Sequence, residues 1–271
     1  MHLKRWISGL ILGPCLILLI LFAPPWFFLL FFAVLIFIGL KEFYALALPM
    51  ISAKERGMGI LLGLLLPISL YSREPRCFLF ALVFLLLFWL IWALFQTEEF
   101  PLRAEKVSKH FLGFLYISFL LSHFILMMKL DLGRFLILFT LVAVYFGDTT
   151  AFYVGTAWGR KKLAPTISPG KTVEGAWGAL GGSILGALIS KYLFFPQLSP
   201  VHALILGGAI GVLGQLGDLW ESLLKRSAQV KDSGALIPGH GGLLDRIDSV
   251  LFSAPLVYYY ALAAGLGKYI G

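Results

Sequence analysis

Ionisable residues are scarce in this chain except between 218 and 248. There Asp218, Glu221, Ser222, Lys225 and Arg226 are followed by Lys231 and Asp232, then by His240, Gly241, Gly242, Asp245, Arg246 and Asp248. Carboxylates alternating with cations suit a metal-bound polyphosphate: carboxylates hold the metal through oxygen, while Lys and Arg hold phosphate oxygens. Asp218, Glu221, Ser222 and Lys225 fall at i, i+3, i+4 and i+7, which is one face of a helix. An ordinary solvated helix end explains Glu221 and Lys225, but not Asp218, which follows a glycine-rich apolar run. Asp245 and Asp248 stand one helical turn apart. Helix capping accounts for one such carboxylate; two of them, with Arg246 and His240-Gly241-Gly242 alongside, point to a metal site. The two glycines permit a close approach of backbone to ligand.

A second polar segment runs Gly159-Arg160-Lys161-Lys162-Leu163-Ala164-Pro165-Thr166-Ile167-Ser168-Pro169-Gly170-Lys171-Thr172. Its end imitates a nucleotide-binding P-loop, but Pro165 stands where the earlier glycine is required and no strand precedes it, which excludes that motif. A glycine turn, Lys171, the hydroxyls of Ser168 and Thr172, and a following helix N-terminus still make an anion-binding corner. Asp148, in Gly147-Asp148-Thr149-Thr150, lies inside an apolar run. An ionisable residue there is costly and faces a polar cavity or partner; it suits a metal ligand, an orienting group for Lys171, or a partner for a buried cation.

These groups need a scaffold, and the composition requires that scaffold to sit in lipid. The 271 residues are 59% hydrophobic with a mean hydropathy of +0.90, where soluble domains are about 45–50% apolar. The net charge of +8 fits loops facing anionic headgroups. No basic run with interleaved aromatics occurs outside the apolar segments, so nucleic acid is excluded as a partner. Cys15 and Cys77 read as apolar filler, and His2, His110, His123 and His202 receive no role. The N-terminal apolar run lacks a small-x-small cleavage site and is read as a retained helix.

The chain is therefore an all-α integral membrane protein, and about nine runs are long enough to cross: 6–23, 26–48, 57–71, 77–96, 110–130, 133–155, 173–195, 201–220 and 249–267. With the N-terminus cytoplasmic and the C-terminus external, 16 of the 22 Lys and Arg face inside, as the positive-inside rule favours. Loops 156–172 and 221–248 then share the cytoplasmic face. Residues 1–75 are expected to form N-terminal membrane helices and 76–131 a middle pair suited to dimerisation. The glycine-dense 132–271 is expected to form a tightly packed catalytic domain.

Ser222-x-Leu224-Lys225-Arg226, Lys231-Asp232, Gly234, Ile237-Pro238, His240-Gly241-Gly242-Leu243 and Asp245-Arg246-Ile247-Asp248 run unbroken over 222–248. Together with Gly147-Asp148-Thr149, Ser168-Pro169-Gly170-Lys171-Thr172 and Gly217-Asp218, they resemble the bacterial phosphatidate cytidylyltransferases, also called CDP-diacylglycerol synthases. The resemblance implies CTP and phosphatidate as substrates, CDP-diacylglycerol and pyrophosphate as products, and Mg²⁺ as cofactor. It also implies a second, potassium-containing metal position, a homodimer, and residence in the cell's inner membrane with the site facing the cytoplasm. On this reading Asp218, Lys225, Arg226, Asp245 and Arg246 are catalytic. Ser168, Lys171, Thr172, Ser222, Lys231, His240, Gly241 and Gly242 bind substrate, and Asp218, Asp245, Asp248 and Asp148 hold metal.

Two other classes fit less well. A CDP-alcohol phosphatidyltransferase needs an Asp-Gly pair that the chain lacks and a different spacing of its last aspartates. A transporter using Asp148 and Asp218 as an ion path has no need of the 240–248 cluster. The topology is testable: cysteines introduced at exposed positions of loops 156–172 and 221–248 should react with an impermeant reagent only from the cytoplasmic side. Labelling from opposite sides would overturn the shared face.

Overall fold

The computed structural model describes residues 13–72, 74–234 and 241–269. It is helical almost throughout, as apolar backbone in lipid must be, because every N–H and C=O has to be satisfied within the segment. The helices are α1 (Gly13–Phe22), α2 (Pro25–Ala47), α3 (Ala53–Gly63), α4 (Leu65–Tyr71), α5 (Pro75–Leu94), α6 (Phe100–Gly113), α7 (Leu120–Met127), α8 (Gly133–Trp158), α9 (Val173–Leu193), α10 (Pro200–Ser227) and α11 (Leu244–Ala263). A π-helical turn, Phe114–Phe119, joins α6 to α7. Six helices among the described residues are long and apolar enough to cross a membrane.

Several boundaries differ from the sequence reading, each for a local reason. The run 57–71 is two helices, α3 and α4, because Pro67 near the start of α4 has no N–H to continue the α3 ladder. The fifth run begins ten residues early, at Phe100, where Pro101 suits a helix start. Helix α10 does not stop near 220 but continues to Ser227, so the Asp218–Lys225 face lies within it. The segment 156–172 is not a plain loop: β1 (Lys162–Ala164) pairs antiparallel with β2 (Ser168–Thr172), Lys162 opposite Thr172 and Ala164 opposite Ser168. The turn therefore falls at Pro165–Ile167, where the Ile167 N–H donates to the Ala164 carbonyl. Gly170 lies in the strand with nothing near it, rather than forming a glycine turn.

Helix α8 packs along α9, α9 against α10, and α10 against α11, which returns to α7 and α8. Glycines make these approaches possible. A Cβ at Gly207 would sit 2.8 Å from the Ala187 Cβ, one at Gly211 2.9 Å from the Leu180 backbone, and one at Gly217 would strike the Asp248 carbonyl. The N-terminal half is not a separate core. One buried apolar cluster joins Ile36, Leu40 and Phe43 of α2 to Phe124 of α7, Phe139 of α8 and Val257 of α11. Helix α5 turns Phe80, Leu87 and Leu94 outward, as a lipid-facing helix would.

Polar contacts gather at two opposite ends. At one end Arg134 donates to the carbonyls of Ile20 and Ala23, Lys129 donates to that of Ser72, and the Lys268 N–H donates to Asp131. At the other end Lys171 pairs with Asp218, Lys225 with Asp245, and Glu42 accepts the Leu243 N–H. A buried charged cluster also lies in the N-terminal half: Lys106 bridges Glu55 at 3.1 Å and Glu98 at 2.5 Å. There His110 contacts Glu55 at 3.2 Å and stacks on Trp89.

The small-residue packing gives a contrast between neighbours. Gly182 faces the Phe146 carbonyl, 2.7 Å from an added Cβ, whereas Gly181 faces open space. Gly182→Val should destabilise the purified protein by about 1–3 kcal/mol through overpacking, read as a lowered unfolding midpoint in detergent. Gly181→Val should be close to neutral.

Candidate active site

Thr172 links the hairpin to α9. Its hydroxyl accepts the Gly175 N–H at 3.1 Å as the N-cap of α9. The side chain is buried and engaged, and it holds the hairpin to α9. The Glu174 carboxylate accepts the backbone N–H groups of Arg160 and Lys161 and closes the hairpin base. This fixes Lys171, whose Nζ lies 2.6 Å from Asp218 Oδ2. Ser168 sits half-buried in β2, three residues before Lys171. The Arg226 guanidinium donates to the carbonyls of Ile167 and Val230, each at 3.3 Å, and so ties the hairpin turn to the end of α10.

One turn along α10, Ser222 donates weakly to Asp218, at 3.5 Å. Lys225 is the centre of a second cluster: its Nζ lies 2.6 Å from Glu221 Oε2 and 2.6 Å from Asp245 Oδ1. The Glu221 side chain is wholly buried, so this i,i+4 pair is no solvated helix end. Asp245 stands ahead of the apolar run 249–267. Its Oδ2 accepts from the Ser233 N–H at 2.9 Å, the Ser233 hydroxyl at 2.8 Å and the Gly242 N–H at 2.8 Å.

The glycine pair has a specific cause. Gly241 has φ +79°, which side-chain-bearing residues rarely adopt, and a Cβ there would lie 2.8 Å from Asp245 Oδ2. A Cβ on Gly242 would lie 2.6 Å from Glu42 Oε2. The absence of side chains at these two positions thus lets two carboxylates of the protein itself approach the backbone.

Glu42 was missed by the sequence reading. It is the first acidic residue of the chain, it lies in the second apolar run, and it is only 7% exposed. Its Oε1 accepts the Leu243 N–H at 2.9 Å, and its Oε2 accepts the Leu244 N–H at 2.9 Å and the Ser233 hydroxyl at 3.1 Å. The reasoning that singled out Asp148, an ionisable group inside an apolar run, applied equally to Glu42.

The remaining carboxylates lie near one another. Asp148, on α8, is within 3.4 Å of the Ser249 hydroxyl and within electrostatic reach of Asp218 and Lys171. Asp248 feels Asp218, Glu221 and Asp148, brought close by the Gly217 contact between α10 and α11. Among the described residues no three His, Cys, Asp or Glu side chains already converge as a metal cage. Lys231 and Arg246 are exposed at the same end of the molecule. His240 lies outside the described residues.

Residues 3–264 match the cytidylyltransferase family. The chain belongs to that family, and it is an enzyme of the nucleotidyl-transferring kind. It is 35% identical to a phosphatidate cytidylyltransferase of Synechocystis sp. (strain ATCC 27184 / PCC 6803 / Kazusa) over 97% of each chain. It is 37% identical to the uncharacterized protein YnbB of Escherichia coli (strain K12) over 89% of this chain and 81% of that one. It is also 40% identical to a phosphatidate cytidylyltransferase of Bacillus subtilis (strain 168) over 57% and 58% of the two chains. Membership agrees with a site made of cations and carboxylates at one end of a membrane helix bundle.

Lys225 supplies a test of that geometry. Lys225→Met would leave Glu221 and Asp245 facing each other without a counter-charge, which should cost about 3–5 kcal/mol of stability, as breaking a buried pair does. Adding Glu221→Gln should recover part of the loss. A double-mutant cycle on denaturant midpoints measures both, and an unchanged midpoint in the single variant would mean that water screens the cluster.

Proposed function

We propose that this enzyme transfers the cytidylyl group of CTP to phosphatidate, giving CDP-diacylglycerol and pyrophosphate. The observation that carries the reading is the 35% identity, over nearly the whole of both chains, to a protein named phosphatidate cytidylyltransferase. The side chains at the helix ends supply suitable chemistry. A phosphomonoester has a second pKa of about 6, so the lipid phosphate is already largely anionic at neutral pH and needs no general base. An oxygen of that phosphate attacks the α-phosphorus of CTP. The bond from that phosphorus to the bridging oxygen breaks, and pyrophosphate leaves with the electron pair. The barrier is the approach of one anion to another, which fixed positive charge lowers.

In this reading Lys171, held at the base of the hairpin, and the Lys225 ammonium neutralise phosphate charge. Arg226, Lys231 and Arg246, at the rim, draw in the nucleotide, with Ser168, Ser222 and His240 adding hydrogen bonds. Thr172, Gly241 and Gly242 act through the backbone they shape. The residues fit Mg²⁺ in chemistry: the donors are all hard oxygens, and Mg²⁺ keeps several waters, needing only one or two carboxylates beside substrate phosphates. Asp218, partly open and next to Asp248 and Asp148, is the first candidate to hold it. Asp245 could join only through Oδ1, by giving up Lys225, since its Oδ2 already takes three hydrogen bonds. Bound there, the ion would supply charge neutralisation on the reacting phosphates. No arrangement among the described residues singles out a K⁺ position.

We further propose nine crossings, with the N-terminus in the cytoplasm, the C-terminus outside and the site at the cytoplasmic face of the inner membrane. The run 6–23, of which α1 is the described part, the α3–α4 pair and α11 would add three crossings to the six long helices. The pair's 19 residues reach about 28 Å, close to the roughly 30 Å hydrocarbon thickness. The separation of Arg134, Lys129 and Lys268 from Lys171 and Lys225 at opposite ends agrees with the charge bias. The outward apolar face of α5 agrees with either lipid or a second copy, so a homodimer remains part of the proposal.

Purified protein in mixed micelles should convert radiolabelled CTP to a lipid-soluble product only when phosphatidate and Mg²⁺ are both present. Asp218→Asn should lower turnover by roughly 10²-fold or more, as loss of a key electrostatic group does, with the protein still inserted in membranes. Phosphatidate-independent turnover would overturn the substrate assignment. Near-wild-type turnover of the variant would remove Asp218 from the metal.

A further inference from the structure

We infer that Glu42 is a positioning residue for the transfer site, holding the start of α11 and Ser233 in place from the opposite half of the chain. Its location is costly. It is a carboxylate within a membrane-length apolar helix, it is 7% exposed, and it makes no ion pair among the described residues. Such a group persists where donors fully meet it. Here the donors are the backbone N–H groups of Leu243 and Leu244, with the single hydroxyl proton of Ser233 shared between Glu42 at 3.1 Å and Asp245 at 2.8 Å. Helix α11 has no cap from its own side chain at Leu243. Glu42 supplies that cap from 201 residues away in sequence, and a helix N-terminus favours an anion.

Other parts of the site hang on this contact. Ser233 reaches Glu42 and Asp245 with the same hydroxyl, and Asp245 in turn holds Lys225. Gly234 and Gly242 come so near Glu42 that a Cβ on either would lie within 2.7 Å of its oxygens. Glu42 therefore sets the position of Asp245 and Lys225 without touching substrate. Both of its oxygens act as acceptors, so Gln is a poor replacement: its NH₂ would face a donor.

The test compares Glu42→Gln and Glu42→Asp with wild type in the full-length protein. Two readouts are used: hydrogen exchange of peptides covering 225–234 and 241–250, and steady-state transfer of cytidylyl from CTP to phosphatidate. In Glu42→Gln, exchange should quicken in those peptides and not in α8 or α9. The kcat should fall by about 10- to 100-fold, the range for loss of an outer-layer orienting group, while the KM for CTP moves far less. Glu42→Asp, which keeps the charge, should lie between the two. Wild-type exchange and kcat in Glu42→Gln, or uniform loosening of all helices, would overturn the inference. If Glu42→Gln does not accumulate, Glu42→Asp decides, since a carboxylate drawn back by one methylene from the Leu243 and Leu244 amides must give the same local loosening to a smaller degree. The kinetic arm rests on the proposed reaction. If wild type transfers nothing to phosphatidate, that reaction fails, and the exchange arm alone decides whether Glu42 fastens the site.

Discussion

A carboxylate placed in an apolar bundle has to be met by donors, and this requirement organises the whole functional end of the molecule. Three consecutive amides, at Gly242, Leu243 and Leu244, are taken by two carboxylates: the first by Asp245, the next two by Glu42. Those bonds satisfy the otherwise orphaned start of α11. They also bring the side chains of α2, α10 and α11 to one point. Without them, Lys225 would lose one of its two counter-charges, and Ser233 and Gly242 their hold on the bundle.

The rest of the positioning is done by closeness. Where α8, α9, α10 and α11 touch, glycine replaces side chains, and backbones approach until a single added carbon would collide. Dispersion and small-residue fit drive such packing in lipid, because burial of apolar surface gains little there. The hairpin at 162–172 extends the same logic beyond the helices. Its base is closed by Glu174 and its turn is tied by Arg226, so Lys171 projects at Asp218 from a short, braced strand rather than from a free loop.

Much of this was legible in the sequence because ionisable groups in an apolar chain have few innocent explanations. The helical face of Asp218, Glu221, Ser222 and Lys225 and the glycine density after 132 were read from spacing and composition alone. What stayed hidden were contacts between distant segments. Nothing local in Lys41-Glu42-Phe43 says that its carboxylate will cap a helix 201 residues later. The Lys106 cluster, with Glu55, Glu98 and His110, was hidden in the same way. The hairpin escaped because Pro169 and Gly170 argue against a strand, and only the edge position of a two-stranded ribbon tolerates them. The glycines beside His240 suggest room for a ligand; that they also make room for Glu42 and Asp245 depends on the distant residue Glu42 and on the turn before α11.

The unbroken length of α10 has a consequence of its own. Its 28 residues reach about 42 Å at 1.5 Å per residue, against a hydrocarbon layer of about 30 Å. Asp218 begins the last ten residues of that rod, so in the proposed topology the charged groups it carries would stand at the depth of lipid headgroups rather than in the oil or in open water. The helix would then work as a depth gauge. In the proposed reaction, a lipid whose tails stay in the leaflet presents its phosphate at the level it already occupies, and only the nucleotide has to travel.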